Sequence, residues 1–168
     1  MPRSRFAVIC LIAVTAATPS FAQEPEQARA LAVADSALAA ISRGDVIALT
    51  DLMLEEAMMF PSSTRDGVLQ YRTRTRAQQR ESKFNGVITE RGYRPEVRVQ
   101  GPIAMVWYPY DLYIDGKWSH CGIDVFTLLK HGGKWRIATL VWSAEQPPVC
   151  ATHPDGPPRR NSATSGSR

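Results

Sequence analysis

Asp115-Gly116 lies between two runs of alternating apolar residues, Ile103 to Ile114 and Lys117 to Leu129. This dipeptide between such runs is a strong short-range signal for a two-residue β-hairpin, because Asp and Gly tolerate the positive φ that the turn demands. Gly132-Gly133 repeats the device before Trp135 to Ser143. The stretch 103–143 therefore predicts an antiparallel meander whose turns set its register. Counting outward places Tyr113 opposite Trp118, Asp111 opposite His120, Trp107 opposite Asp124 and Met105 opposite Phe126. The second turn adds Trp135, Ile137, Thr139 and Val141 to the same face.

That face is apolar with a few ionisable groups, the composition of a ligand pocket and also of a satisfied core. The ligand-binding candidates are Trp107, Trp118, His120, Asp124, Phe126 and Thr139. His120, Asp124 and Asp111 are the candidates for catalysis. A carboxylate across a strand pair from an imidazole, with Cβ atoms about 5 Å apart, would fix its tautomer and raise its basicity. Asp124 lies about 13 Å further along the strand from His120, outside that hydrogen-bonded unit. Among Trp107 and Phe126 its carboxyl should titrate high through desolvation. The count sets Pro109 opposite Gly122, where a missing donor invites a bulge that would flip the parity of Asp111.

The opposite face reads Val106, Tyr108, Tyr110 and Leu112, then Ile123 and Val125, then Ala138, Leu140 and Trp142. A sheet apolar on both sides needs two covers. Helices can supply one, and a second copy of the sheet is the economical other, so the expected assembly is a homodimer.

The helices come first in the chain. Leu31, Ala34, Leu38 and Ile41 make one stripe over 26–43, closed by Gly44. Asp45 can cap a short second helix carrying Leu49, Leu52 and Met53. Pro61-Ser62-Ser63 and Asp66-Gly67 are turn chemistry around a short strand. Val68 to Arg74 alternates as a further strand, and Thr75 with Gln78 is a capping box for a third helix reaching about Phe84. Arg72, Arg74, Arg76 and Arg80 read either as an anion-binding rim or, more plainly, as a solvated strand edge and helix face. Helices followed by strands make the class α+β.

Arg3 and Arg5, the apolar run Phe6 to Ala17 and the small-x-small site Ser20-Phe21-Ala22 form a signal peptide over 1–22. The run is too short to span a bilayer, so the expected destination is periplasmic or secreted, without membrane attachment after cleavage. About 145 residues remain, enough for one domain, 23–146, with its own core. Residues 147–168, rich in Pro, Ser and Arg, read as a disordered tail. The formal charge of +4 resides in the two ends, leaving the segment between nearly neutral and without a nucleic-acid footprint. Cys121 and Cys150 survive cleavage and leave two readings open, a disulfide or a buried Cys121 with a loose Cys150. No nucleophile elbow, phosphate-cradling glycine loop or metal-ligand spacing occurs, so no cofactor and no metal are expected.

Arg43-Gly44-Asp45 after the first helix, the aromatic strand Trp107 to Tyr113, Asp115-Gly116-Lys117, Ser119-His120-Cys121-Gly122-Ile123-Asp124-Val125-Phe126 and Gly133-Lys134-Trp135-Arg136-Ile137 resemble the nuclear transport factor 2-like (SnoaL-like) superfamily. Within it the likeness is to small bacterial proteins that carry a lumazine-binding label. The resemblance covers about 26–145. It implies a cone-shaped fold, about three N-terminal helices on a bent antiparallel sheet, with a pocket at the concave face and dimers through the convex one. It implies an exported binder of a small apolar or aromatic molecule, or else a cofactor-independent isomerase, dehydratase or cyclase using His120 or Asp124 for proton transfer. A dimeric interaction module with a vestigial pocket is the third reading.

Overall fold

The computed structural model describes residues 23–158; residues 1–22, expected as a signal peptide, and the last ten residues lie outside them. Helix α1 (Gln23–Ser42) is followed by α2 (Val46–Asp51), then β1 (Met53–Arg65), β2 (Val68–Tyr71), β3 (Arg74–Thr75) and α3 (Arg76–Arg80). Strands β4 (Ile88–Gly92), β5 (Glu96–Gln100), β6 (Ile103–Ile114), β7 (Lys117–His131) and β8 (Lys134–Ser143) complete the chain.

Local chemistry explains the short elements. The Asp45 carboxylate accepts from the Ala48 N–H at 2.9 Å and caps α2. Thr75 and Gln78 form the reciprocal capping box of α3, which ends at Arg80 rather than near Phe84. Met53, expected on the second helix, and Pro61 to Ser63, expected as a turn beside a short strand, all belong to one long strand. Pro61 to Ser63 lie inside β1, where Ser62 Oγ donates to the Trp142 carbonyl at 2.8 Å. Pairing with a partner 80 residues away overrides the local turn preference of these residues.

The strands form one eight-stranded sheet in the order β2-β1-β8-β7-β6-β4, with β3 on β1 and β5 on β6. It is mixed, not purely antiparallel, because β1 runs parallel to β8. The sheet curls strongly around the helices. Ala30, Ala34, Ala37 and Leu38 of α1 pack against Val99, Val106, Phe126, Leu128 and Ile137. Small residues along that stripe let α1 sit close to the sheet, and burial of this apolar surface holds the two layers together.

Two bulges reset the register. Tyr113 pairs with Trp118 as counted, but Leu112 pairs with His120, so Ser119 is an extra residue on β7. On β8, Thr127 pairs with Thr139 and Leu128 with Ile137, leaving Ala138 extra. Each inserted residue exchanges the two faces beyond it. Asp111 therefore pairs with Cys121 and not His120, and Trp107 with Val125 and not Asp124. The concave face receives Val106, Tyr108, Tyr110, Leu112, Leu140 and Trp142, the set expected outside. Pro109, opposite Ile123, needs no bulge. Its carbonyl accepts from the Tyr93 N–H, on the edge of β6 where pairing passes from β5 to β4. The missing donor falls in that gap.

Cys121 and Cys150 are joined by a disulfide. It fastens the segment after β8 across the convex side. There Arg91 makes two hydrogen bonds to the fully buried Asp111, at 2.9 and 2.6 Å. Arg91 also donates to the Gly156 carbonyl, and the His153 N–H donates to Asp111. Residues 147–158, which composition alone provides with no partner, are held by these contacts and by Tyr93 Oη on the Ala151 carbonyl.

Candidate functional site

On the concave face, β4, β6, β7 and β8 meet Ile41 of α1, Met59 of β1, Gln79 of α3 and Phe84 just beyond it. A cavity of about 130 Å³ remains there, lined by apolar Ile41, Met59, Phe84, Ile88, Leu112, Leu140 and Trp142. Its polar groups are Glu90, Asp124, His120, Tyr110, Arg74 and Gln79. Arg74, His120 and Trp142 also line an open cleft of about 890 Å³ under the β1–β2 hairpin, so the cavity opens into it.

Register explains the assembly of the polar floor. Glu90, Leu112 and His120 form one row across β4, β6 and β7. Tyr108, Asp124 and Trp142 form another, and Gly92, Tyr110 and Gly122 lie between. Gly92 lacks a side chain because the Tyr108 ring and Leu38 fill its place, a Cβ there lying 2.4 Å from Tyr108 Cε2. Gly122 has its own reason to lack a side chain: a Cβ there would sit 1.8 Å from the Ser143 carbonyl oxygen.

Asp124 is buried, and Glu90 is half-buried with its carboxyl end shut off from water. The two carboxyls share a hydrogen bond, so one must carry a proton. Burial pushes Glu90 up to about 8, the hydrogen bond with Asp124 partly opposing it. Burial, the neighbouring Glu90 charge and the same hydrogen bond hold Asp124 well above the usual carboxylate range. Apart from the hydrogen bond they share, neither carboxyl receives an N–H or O–H from the described residues. The Tyr110 hydroxyl donates to the Ser143 carbonyl at 2.8 Å and stays protonated, its ionisation opposed by burial and then by the Asp124 and Glu90 charges. Burial lowers the His120 pKa, so the ring is neutral near pH 7. It lies edge-on to Tyr110, and its Nδ1 is 2.9 Å from Ser119 Oγ.

Of the residues singled out from sequence, the cavity brings together His120 and Asp124. Phe126 shares their face but is packed in the core beneath α1. Trp107, Thr139 and Asp111 face the convex side because of the bulges at Ser119 and Ala138. Trp118 also lies on that side, edge-on to Tyr113, with its Nε1 donating to Gln146. Asp111 serves the Arg91 pair and the C-terminal segment, not an imidazole. The four arginines divide: Arg76 and Arg80 bond Thr50 and Asp51, while Arg72 and Arg74 face the cleft. Glu90 was invisible in sequence. It is one of two charges on a short strand, and only the pairing of β4 with β6 carries it to His120.

No family model and no curated protein sequence matches the chain. Solved structures do. A nuclear transport factor 2-like protein of unknown function from Silicibacter pomeroyi superposes with a TM-score of 0.50 at 23% identity, over 71% of this chain and 95% of that one. Another from Pseudomonas putida gives 0.57 at 10% identity, over 80% and 98%. A provisionally assigned dehydratase of the same fold family from Streptomyces avermitilis gives 0.55 at 14%, over 72% and 96%. This chain has the nuclear transport factor 2-like fold. At these identities the likeness is one of backbone fold, not of the residues within the cavity.

Proposed function

We propose that this nuclear transport factor 2-like protein binds a small, largely apolar or aromatic molecule in its concave cavity, as an exported homodimer. The observation that carries the reading is the cavity itself: apolar walls over a buried carboxyl pair that receives no other protein donor. Pockets that combine greasy walls with a few convergent polar groups are the usual small-molecule sites. Export rests on the leader-like residues 1–22, and dimerisation on the convex face, where Trp107 and Val141 are 41% and 37% exposed beside Val125 and Thr139. The test is thermal shift with a panel of one- and two-ring aromatic compounds. Stabilisation by some members, lost in Trp142→Ala, supports the reading; a panel that shifts nothing refutes it.

A second reading follows from the shared proton. A carboxyl pair that keeps a proton near neutrality can give or take one, which is the requirement for cofactor-independent isomerisation, dehydration or cyclisation. The dehydratase assignment of the Streptomyces protein is in keeping with such chemistry. Asp124→Asn that still binds but no longer turns over a compound selected from the panel would favour it; unchanged turnover would remove it.

A further inference from the structure

The cavity's volume, floor and rim together narrow the ligand beyond the binding reading above, on which this inference rests. About 130 Å³ is close to the roughly 150 Å³ that admits benzene in a protein interior, so one six-membered ring fills it. At the floor, Glu90 and Asp124 line the cavity, Asp124 only 3% exposed, and no N–H or O–H of any other described residue donates to either carboxyl. A buried carboxyl pair that receives no other protein donor is costly, and an occupant that donates to it gains accordingly. A group with an N–H next to a basic nitrogen suits these carboxyls in either state. It donates twice to a carboxylate after taking up the proton, or donates once and accepts once from the acid.

The rim has the opposite character. Arg74 lines both cavity and cleft, and Gln79 Oε1 occupies one of its donors at 2.6 Å. Arg72 and Arg65 line the cleft with it, against one acidic lining residue, Asp66. Among the described residues no carboxylate lies within 4 Å of Arg65, Arg72 or Arg74. By contrast Arg76 and Arg80 are matched by Asp51. Guanidinium groups left without a counter-ion at a pocket mouth suit a carboxylate or phosphate.

We propose that the site selects a single-ring compound with an amidine-like edge turned to Glu90 and Asp124 and an anionic substituent turned outward to Arg74 and Arg72. The compound enters ring first, its charged end staying in the wet cleft. A larger body attached at the anionic end can extend along the cleft without disturbing the ring.

Calorimetry of the full mature chain with four probes tests this: toluene, 2-aminopyridine, nicotinate and 6-aminonicotinate, which carries both features on opposite sides of one ring. The expected order is 6-aminonicotinate tightest, with 2-aminopyridine and nicotinate each weaker by about tenfold or more, as loss of a charged hydrogen bond implies. Arg74→Gln should erase the advantage of 6-aminonicotinate over 2-aminopyridine. If toluene binds and the substituents make no difference, or the anionic advantage survives Arg74→Gln, this inference falls and the apolar pocket stands. If none of the four binds, the pocket reading falls with it.

Discussion

Glu90 should make the protein less stable as pH rises through neutrality, the reverse of the usual carboxylate. Its folded pKa is raised from 4.5 to about 8. The folded state therefore holds a proton that the unfolded chain releases above pH 4.5. The resulting stabilisation is complete below that pH and is lost as pH climbs through about 8. At about 1.4 kcal/mol for each pH unit between the two values, the proton is worth on the order of 5 kcal/mol, and about 4 of that falls between pH 5 and 9. Asp124 is raised too and acts in the same direction. His120, whose pKa is lowered, acts on the acid side: stability is lost there as pH falls below its unfolded value of 6.5. The measurement is urea unfolding at pH 5, 7 and 9 of the disulfide-intact protein and of Glu90→Gln. The variant cannot titrate at this position, and differencing the two cancels His120. The wild type should lose several kcal/mol more than the variant between pH 5 and 9. Parallel curves would show that the carboxyl is hydrated or ionised in the folded protein, and the account of the cavity floor would be wrong.

Other outcomes follow from single contacts. Asp111→Ala strands Arg91 and frees the C-terminal segment; it should cost about 3 kcal/mol and raise amide exchange at 151–156, whereas unchanged exchange would mean the disulfide alone holds the segment. Removing the Cys121–Cys150 bridge, with a sequence separation of 29, should cost about 3–4 kcal/mol by loop entropy, read as a shift in the urea midpoint of the doubly substituted Ala variant. Gly122→Ala drives a methyl group into the Ser143 carbonyl and should destabilise by about 3 kcal/mol or more, lowering the thermal midpoint well below that of the neighbouring Ile123→Ala. Trp107→Lys should convert a dimer to monomer in light scattering while leaving cavity binding intact; a wild-type chain that is monomeric at micromolar concentration ends the dimer proposal.

Much of the architecture could be read locally. The Asp115-Gly116 and Gly132-Gly133 turns, the Asp45 cap and the Thr75–Gln78 box lie where their own backbone chemistry places them. Each depends on residues within a few positions, which is why periodicity and caps suffice. His120 and Asp124 share a face because no bulge separates them on β7. The sequence by itself thus determined the α+β order, the meander and two of the polar residues at the cavity.

Tertiary structure decided which way the rest point. A count from a turn assumes that every residue pairs, and Ser119 and Ala138 do not. The extra residues accompany the curl that wraps the sheet around α1, a demand made by packing across the whole domain and not by neighbouring residues. That curl turned Trp107, Asp111 and Thr139 outward and Tyr110, Leu112 and Trp142 inward. It also brought Glu90 from a strand with no sequence signal to within a proton's reach of Asp124. The floor of the cavity is a non-local object, a buried pair that exists only once β4 has docked on β6.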